Sequence, residues 1–125
     1  MIIGIGIDIT EVTRMKRAIE RSGERFLKRV FTEGELHSCK GRREPCQHLA
    51  ARFAAKEAAM KALSTGWSSG VTWKDIEVIT DESGAPRLTF AGEAQRIFRK
   101  IGGRKAHLSL SHQKDLASAS VIIES

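Results

Sequence analysis

Tyrosine is absent from the 125-residue sequence, and only two cysteines, two tryptophans and five phenylalanines are present. So few aromatic rings leave little for a base-stacking platform, which weighs against a protein that threads single-stranded nucleic acid. Two cysteines are too few for a secreted disulfide scaffold, so both are expected as reduced thiols. No stretch approaches the roughly 20 apolar residues needed to cross a bilayer. The opening segment from Met1 to Ile9 is spaced like a strand and has neither the basic region nor the cleavage site of a secretion signal. A soluble, cytoplasmic protein is expected.

Of the side chains present, 41% are hydrophobic and 29% charged, and the length suits one compact domain spanning residues 1–125. A domain this small leaves much of its surface exposed, so a deep pocket is easier to build between subunits than within one chain. Lysine and arginine total 21 against 15 acidic residues, a formal charge of +6. Such a field attracts anionic partners, whether nucleic acid, phosphates or acidic proteins, and does not choose among them.

Residues 2 to 9 alternate, with Ile3, Ile5, Ile7 and Ile9 on one strand face and Ile2, Gly4, Gly6 and Asp8 on the other. The two glycines weaken a strand but let another backbone or a ligand come close, and they lead to a carboxylate at the strand's end. The alternative is a glycine-bulged strand whose Asp helps to cap a helix. From Thr10 to Arg21 the spacing of Val12, Met15 and Ile19 predicts a helix, with Gly23 as its stop. Arg14, Arg17 and Arg21 stack along one side of it, continued by Arg25, Lys28 and Arg29 in a following short segment. On charge alone the stripe is either a docking face or an ordinary solvated one.

Thr32 and Glu35 form a capping-box pattern that starts a short helix, Lys40 to Glu44 read as a loop, and Pro45 opens a helix to Leu63 that Gly66 terminates. Val71 to Thr80 and Arg87 to Phe90 read as strands around a turn at Asp81 to Pro86. A helix through Ala94, Ile97, Phe98 and Ile101 follows, then a hairpin of Ala106 to Ser111 and Ala117 to Ile123.

The apolar stripe of the long helix descends through Leu49 and Phe53 to position 57 and then Met60, and position 57 is a glutamate. A carboxylate on a buried face asks for a cation, which is either a ligand or simply Lys61 one turn later. Asp8 and Glu57 side by side would repel unless a divalent cation or a shared proton relieved them. Oxygen-only ligands suit magnesium, which completes its octahedron with water and phosphate oxygens. His107, Ser109 and Ser111 share one strand face and, with Lys105, suit phosphate contacts, while His112 points to the other side or into the turn; an ordinary polar face is the alternative. The cluster His37, Cys39, Cys46 and His48 matches no familiar zinc spacing, and the GIGID glycines lack the third position of a dinucleotide fingerprint.

Together, Gly4-Ile5-Gly6-Ile7-Asp8-Ile9-Thr10-Glu11, Arg52-Phe53-Ala54-Ala55-Lys56-Glu57-Ala58 and His107-Leu108-Ser109-Leu110-Ser111-His112 resemble the holo-acyl-carrier-protein synthases, in order and spacing and across essentially the whole chain. Phe53 stands where the wider phosphopantetheinyl transferase superfamily often has Trp, as in its short single-domain branch. Cys39 to Gln47 matches no motif of the family.

The resemblance implies an α+β fold, a mainly antiparallel sheet wrapped by helices, assembled as a homotrimer with coenzyme A between subunits. It implies transfer of the 4'-phosphopantetheine group from coenzyme A to a serine of an acidic acyl-carrier protein, releasing adenosine 3',5'-bisphosphate, in support of fatty acid biosynthesis. Asp8 and Glu57 would hold magnesium, and the serine proton would go to Glu57 or to a water on the metal. Lys61 and His107 would meet coenzyme phosphates, and Arg52, Phe53, Gly84, Pro86, Ser109 and Ser111 would complete the coenzyme site. Arg14, Arg17 and Arg21 would receive the carrier. Two other classes compete: a small basic nucleic-acid-binding module without catalysis, and a metal-dependent nucleotide phosphodiesterase.

Overall fold

The computed structural model describes residues 1–64 and 70–125. The chain runs β1 (Ile2–Glu11), α1 (Val12–Val30), α2 (Glu33–Lys40), α3 (Pro45–Leu63), a 3-10 turn at Trp73–Asp75, β2 (Ile76–Thr80), β3 (Pro86–Phe90), α4 (Gly92–Lys100), β4 (Lys105–His112) and β5 (Leu116–Glu124). The expected α+β architecture is present as two antiparallel sheets, one ordered β1-β5-β4 and the other a β2-β3 hairpin, with the helices packed around them. Gly66, read as the stop of the long helix, lies outside the described residues; α3 closes on Ser64 in a left-handed conformation.

From Gly4 onward the alternation in β1 is present and the glycine face is the one that turns inward; a pairing irregularity between Ile2 and Gly4 instead packs Ile3 against the core and leaves Ile2 exposed. A Cβ built on Gly6 would lie 1.9 Å from the carbonyl oxygen of Ala58, and one on Gly4 would lie 2.2 Å from that of Ala62. Only glycine lets the strand backbone rest on the helix backbone at that distance. Asp8 follows on the same inward face. The other face is left outward, so that Ile5, Ile7 and Ile9 are each more than 60% exposed in the single chain.

Three local expectations are corrected. Gly23 does not end the first helix. It takes a left-handed conformation (φ 52°) at a kink inside α1, and Arg25, Lys28 and Arg29 continue the helix beyond it. Residues 71–75 are not strand: the Thr72 hydroxyl and Asp75 carboxylate cap a 3-10 turn there, and pairing with β3 begins at Ile76. Position 57 is not the deeply buried charge of α3, because this helix is buried on nearly every side, from Leu49 to Leu63, and a one-sided stripe does not describe it.

The most deeply buried charge of α3 is Lys56. Its ammonium pairs with Glu35 of α2 at 2.8 Å, with both side chains sealed from solvent, and also donates to the carbonyls of Trp73, at 3.0 Å, and Ile76. Glu35 in turn accepts from the backbone N–H groups of Thr32 (2.9 Å) and Val78 (2.8 Å). Burial pushes the Lys56 ammonium below its ordinary pKa, and Glu35 pulls it back up. The pair thereby clamps α2, α3, the 3-10 turn and β2 together. Removing one partner of such a pair costs about 3–5 kcal/mol, so it fixes the frame on which the site residues stand.

Candidate active site

The sequence-derived residues fall into three places. The first is the crossing of β1 over α3. Asp8 is held there with only 18% of its side chain exposed, its Oδ1 facing the Lys61 ammonium at 3.2 Å and its Oδ2 accepting from the Thr10 hydroxyl at 3.2 Å. Lys61 also donates to the carbonyl of Ile7 at 2.9 Å. Asp8 therefore does not cap α1; the cap position is Glu11, which makes no side-chain capping bond. Glu57 is half-buried and precedes Lys61 by one turn, so the two share one face of α3.

Among the described residues, no three His, Cys, Asp or Glu side chains gather closely enough to hold a metal by themselves. A donor set of carboxylate and hydroxyl oxygens with few protein ligands fits magnesium, which takes one or two carboxylates and keeps its remaining positions for water and phosphate. A cation also suits the place, since Asp8 already draws the ammonium of Lys61 onto itself.

The second place is a cleft of about 320 Å³ walled by the start of α3, the β2–β3 turn and β4. Arg52, Gly84, Pro86 and Ser109 line it, as do His112, which closes the third motif, His48, noted in the sequence only as part of a cluster without zinc spacing, and Arg42, which the sequence reading passed over. Arg52 is 4% exposed and donates to the carbonyl of His48 (3.3 Å) and the hydroxyl of Ser38 (3.1 Å), with the Thr80 hydroxyl at 3.5 Å. His112 does turn to the side opposite His107, as alternation requires. His107 is exposed on the outer face and bonded to Glu124, whose carboxyl it holds below its usual pKa. Ser111 is also exposed on the outer face and borders a groove with Ile9 and Ser118. The Asp8 site stands on the β1 edge of the sheet, while the cleft is walled by β4 at the other edge.

The third place is α1. Arg14, Arg17 and Arg21 are all exposed. Beside them, Met15, Ala18, Phe26, Phe53 and Thr10, with Arg14 at the rim, enclose a small apolar pocket of about 140 Å³. Phe53 is a core residue that stacks on Trp73 with centroids 4.9 Å apart, and the Arg14 guanidinium lies 6.0 Å from its ring centre. Its ring is on this side and does not line the Arg52 cleft.

Comparison with known proteins gives the chain its family. The profile of the 4'-phosphopantetheinyl transferase superfamily matches residues 4–119. A holo-[acyl-carrier-protein] synthase of Koribacter versatilis is 50% identical over 124 residues, covering 99% of both chains. The crystal structure of the holo-[acyl-carrier-protein] synthase of Neisseria meningitidis superposes with a TM-score of 0.90 at 35% identity, covering both chains completely. That of the Bacillus anthracis enzyme, solved in complex with CoA (3',5'-ADP), does so with a TM-score of 0.82 at 39% identity, over 100% of this chain and 98% of the other. The chain belongs to the 4'-phosphopantetheinyl transferase superfamily, among its holo-[acyl-carrier-protein] synthases.

Proposed function

We propose that this protein transfers the 4'-phosphopantetheine group of coenzyme A to a serine hydroxyl of an apo acyl-carrier protein. The observation that carries the reading is full-length similarity to such synthases, joined to a chain that sets Asp8 and Lys61 against each other on a glycine-packed crossing. In the reaction the serine oxygen bonds to the β-phosphorus, the phosphoanhydride bond breaks, and adenosine 3',5'-bisphosphate leaves with the electron pair. Bound between Asp8 and Glu57, magnesium would supply Lewis-acid polarisation of the pyrophosphate. Lys61, freed from Asp8, would follow the phosphate charge as it shifts to the leaving group. Glu57 is the chain's own candidate for taking the serine proton, the alternative being a water held by the metal.

Arg52, Gly84, Pro86 and Ser109 would hold the nucleotide in the cleft, with His107 and Ser111 meeting it from the outer sheet face. Phe53 would act by shaping the wall behind Arg14. We place the reaction in cytoplasmic fatty acid biosynthesis; none of the described helices is long and apolar enough to cross a membrane. The direct test on the coenzyme side is chromatography of the products: adenosine 3',5'-bisphosphate should appear only with both magnesium and apo carrier present. Nucleotide cleavage without carrier would instead favour the phosphodiesterase reading.

The exposed arginines of α1, with the apolar pocket beneath Arg14, offer an acidic helical carrier both charge and an anchor point. Arg14→Glu, Arg17→Glu or Arg21→Glu should each raise KM for carrier roughly tenfold while coenzyme A affinity stays unchanged. Salt should reproduce the effect in the unmutated protein. A carrier KM indifferent to charge reversal and to ionic strength would return the stripe to an ordinary solvated face.

The same protein would act as a homotrimer. Two features support this: the row Ile5, Ile7 and Ile9 left facing water, and the two groups of site residues set at opposite edges of the sheet. Neighbouring subunits would then complete each other's site. Glu57→Gln chains and His107→Ala chains, each poorly active alone, should regain activity when unfolded and refolded together, to the fraction set by random mixing. Light scattering should report trimers throughout. Mixed samples no more active than the sum of the parents would mean that each chain builds its own site.

A further inference from the structure

The turn that joins β2 to β3 brings a carboxylate to the edge of a cationic cleft. Arg42 and Arg52 line that cleft, with His48 and His112 meeting edge to face at a centroid separation of 4.8 Å, and no Asp or Glu is among the described residues that line it. Gly84 and Pro86 line it from the turn. Asp81 opens the same turn, yet its carboxylate is turned onto the turn's own backbone. Oδ1 accepts from the N–H groups of Ser83 (2.9 Å) and Ala85 (3.0 Å) and from the Ser83 hydroxyl, while Oδ2 faces Arg87 Nε at 3.7 Å. The main chain adds two bonds of 2.9 Å, from the Asp81 N–H to the Ala85 carbonyl and from the Gly84 N–H to the Asp81 carbonyl.

The strands alone close this hairpin poorly. β2 and β3 form a sheet of two strands, and the pair nearest the turn is Thr80 with Pro86, which has no N–H to give to the ladder. Residues 82–85 are all exposed, and a connection of this length has several closed shapes. Gly84 stands at φ 89°, although a Cβ there would meet nothing within 4 Å, so glycine serves the backbone conformation and not the space around it. A left-handed residue that nothing packs against keeps its place through the hydrogen bonds on either side. The N–H groups of residues 83, 84 and 85 all end on Asp81. The Ser83 hydroxyl first, then the Ala85 and Ser83 N–H groups and Arg87, hold the Asp81 carboxyl below its usual pKa against the opposing effect of burial, so the acceptor is the charged form.

Resting on the coenzyme A reading, we propose that Asp81 is a positioning residue for the coenzyme: its carboxylate fixes the turn in the one shape that carries Gly84 and Pro86 to the cleft, and it touches neither the coenzyme nor the reacting atoms. Charge alone argues the opposite sign. A carboxylate near an anion site repels the ligand, so removing it would tighten binding. Positioning predicts weakening. If the turn without Asp81 holds the competent shape about a tenth of the time, coenzyme affinity falls about tenfold. The chemical step is unchanged, because bound coenzyme selects the same wall in either protein. Asparagine keeps an amide oxygen that can take the same two N–H bonds, so it should restore the affinity that alanine loses.

The test compares the full-length protein with Asp81→Ala and Asp81→Asn, by calorimetry of coenzyme A binding without carrier and by steady-state kinetics. Asp81→Ala should raise both Kd and KM for coenzyme A about tenfold, while kcat at saturating coenzyme, KM for carrier and the urea midpoint stay where they were. Asp81→Asn should bind coenzyme A nearly as the unmutated protein does. Amide exchange gives a readout that needs no ligand: the Ser83 and Ala85 N–H groups should exchange slowly in the unmutated protein and in Asp81→Asn, and faster in Asp81→Ala. Unchanged or tighter binding of coenzyme A by Asp81→Ala would overturn the proposal, as would equal weakening in both variants, or a loss confined to kcat or to the urea midpoint. Fast exchange of the Ser83 and Ala85 amides in the unmutated protein would overturn it without any variant. In each of these cases the unmutated protein still binds coenzyme A; its failure to do so would overturn the coenzyme reading itself and this proposal with it.

Discussion

Asp8→Asn and Glu57→Gln should each lower the rate of phosphopantetheine transfer by about 10³-fold or more while leaving a cooperatively folded protein. The size follows from the chemistry: polarising a pyrophosphate is worth several kcal/mol of barrier, and each 1.4 kcal/mol is a factor of ten. Both substitutions keep the side chain's shape and remove only its charge, so no cavity forms. Asp8→Asn also weakens the contact with Lys61, but that ammonium is more than half exposed, and pairs of this kind contribute little to stability. Calcium should replace magnesium poorly, because its longer bonds and looser geometry would misplace the pyrophosphate. Steady-state rates at ordinary magnesium, alongside urea midpoints, check both halves of the expectation. Near-normal turnover in either variant would remove that residue from the site.

The largest structural effect should come from a single methyl group. A Cβ at Gly6 would stand 1.9 Å from the Ala58 carbonyl oxygen, a backbone atom that cannot swing aside. Gly6→Ala must therefore lift β1 from α3, and about 3 kcal/mol or more should be lost, at or above the upper range for overpacking. Asp8 rides on the same strand two residues on, so whatever folded fraction remains should also lose activity through a displaced carboxylate. Gly41→Ala is the control. Nothing lies within 4 Å of its added Cβ, and the residue is not in a left-handed conformation, so its stability should change by no more than about 0.5 kcal/mol. Urea unfolding at one fixed protein concentration distinguishes the two, since the proposed assembly would make the midpoint concentration-dependent. A Gly6→Ala midpoint equal to that of the unmutated protein would mean that the crossing is not tight.

Much of this was legible in the sequence because strand periodicity is short and strict. The order of Gly4, Gly6 and Asp8 marks one face of β1 whatever the rest of the chain does, and the close approach that those glycines permit is the one that α3 makes. Helix periodicity misled at α3, because the stripe argument assumes one wet face. Sheet, α1, α2 and β2 surround this helix, so the buried charge is Lys56 and not its neighbour Glu57. Glu35, noticed only as a capping residue, is the cation's partner; a residue can satisfy a helix end and a distant ammonium at once, and spacing reports only the first. The Thr72–Asp75 capping pattern was a missed signal for the turn that replaces the start of β2. The meeting of His48 with His112 carried no signal, since it depends on how β4 lies against α3.

The transfer reaction itself is tested most directly by the mass of a carrier. An apo acyl-carrier protein incubated with this protein, coenzyme A and magnesium should gain one phosphopantetheine group per molecule, on its acceptor serine. The gain should disappear when magnesium is chelated, or when that serine is replaced by alanine. A carrier whose mass stays unchanged across several apo carriers, with coenzyme A intact and the protein folded, would contradict the assignment.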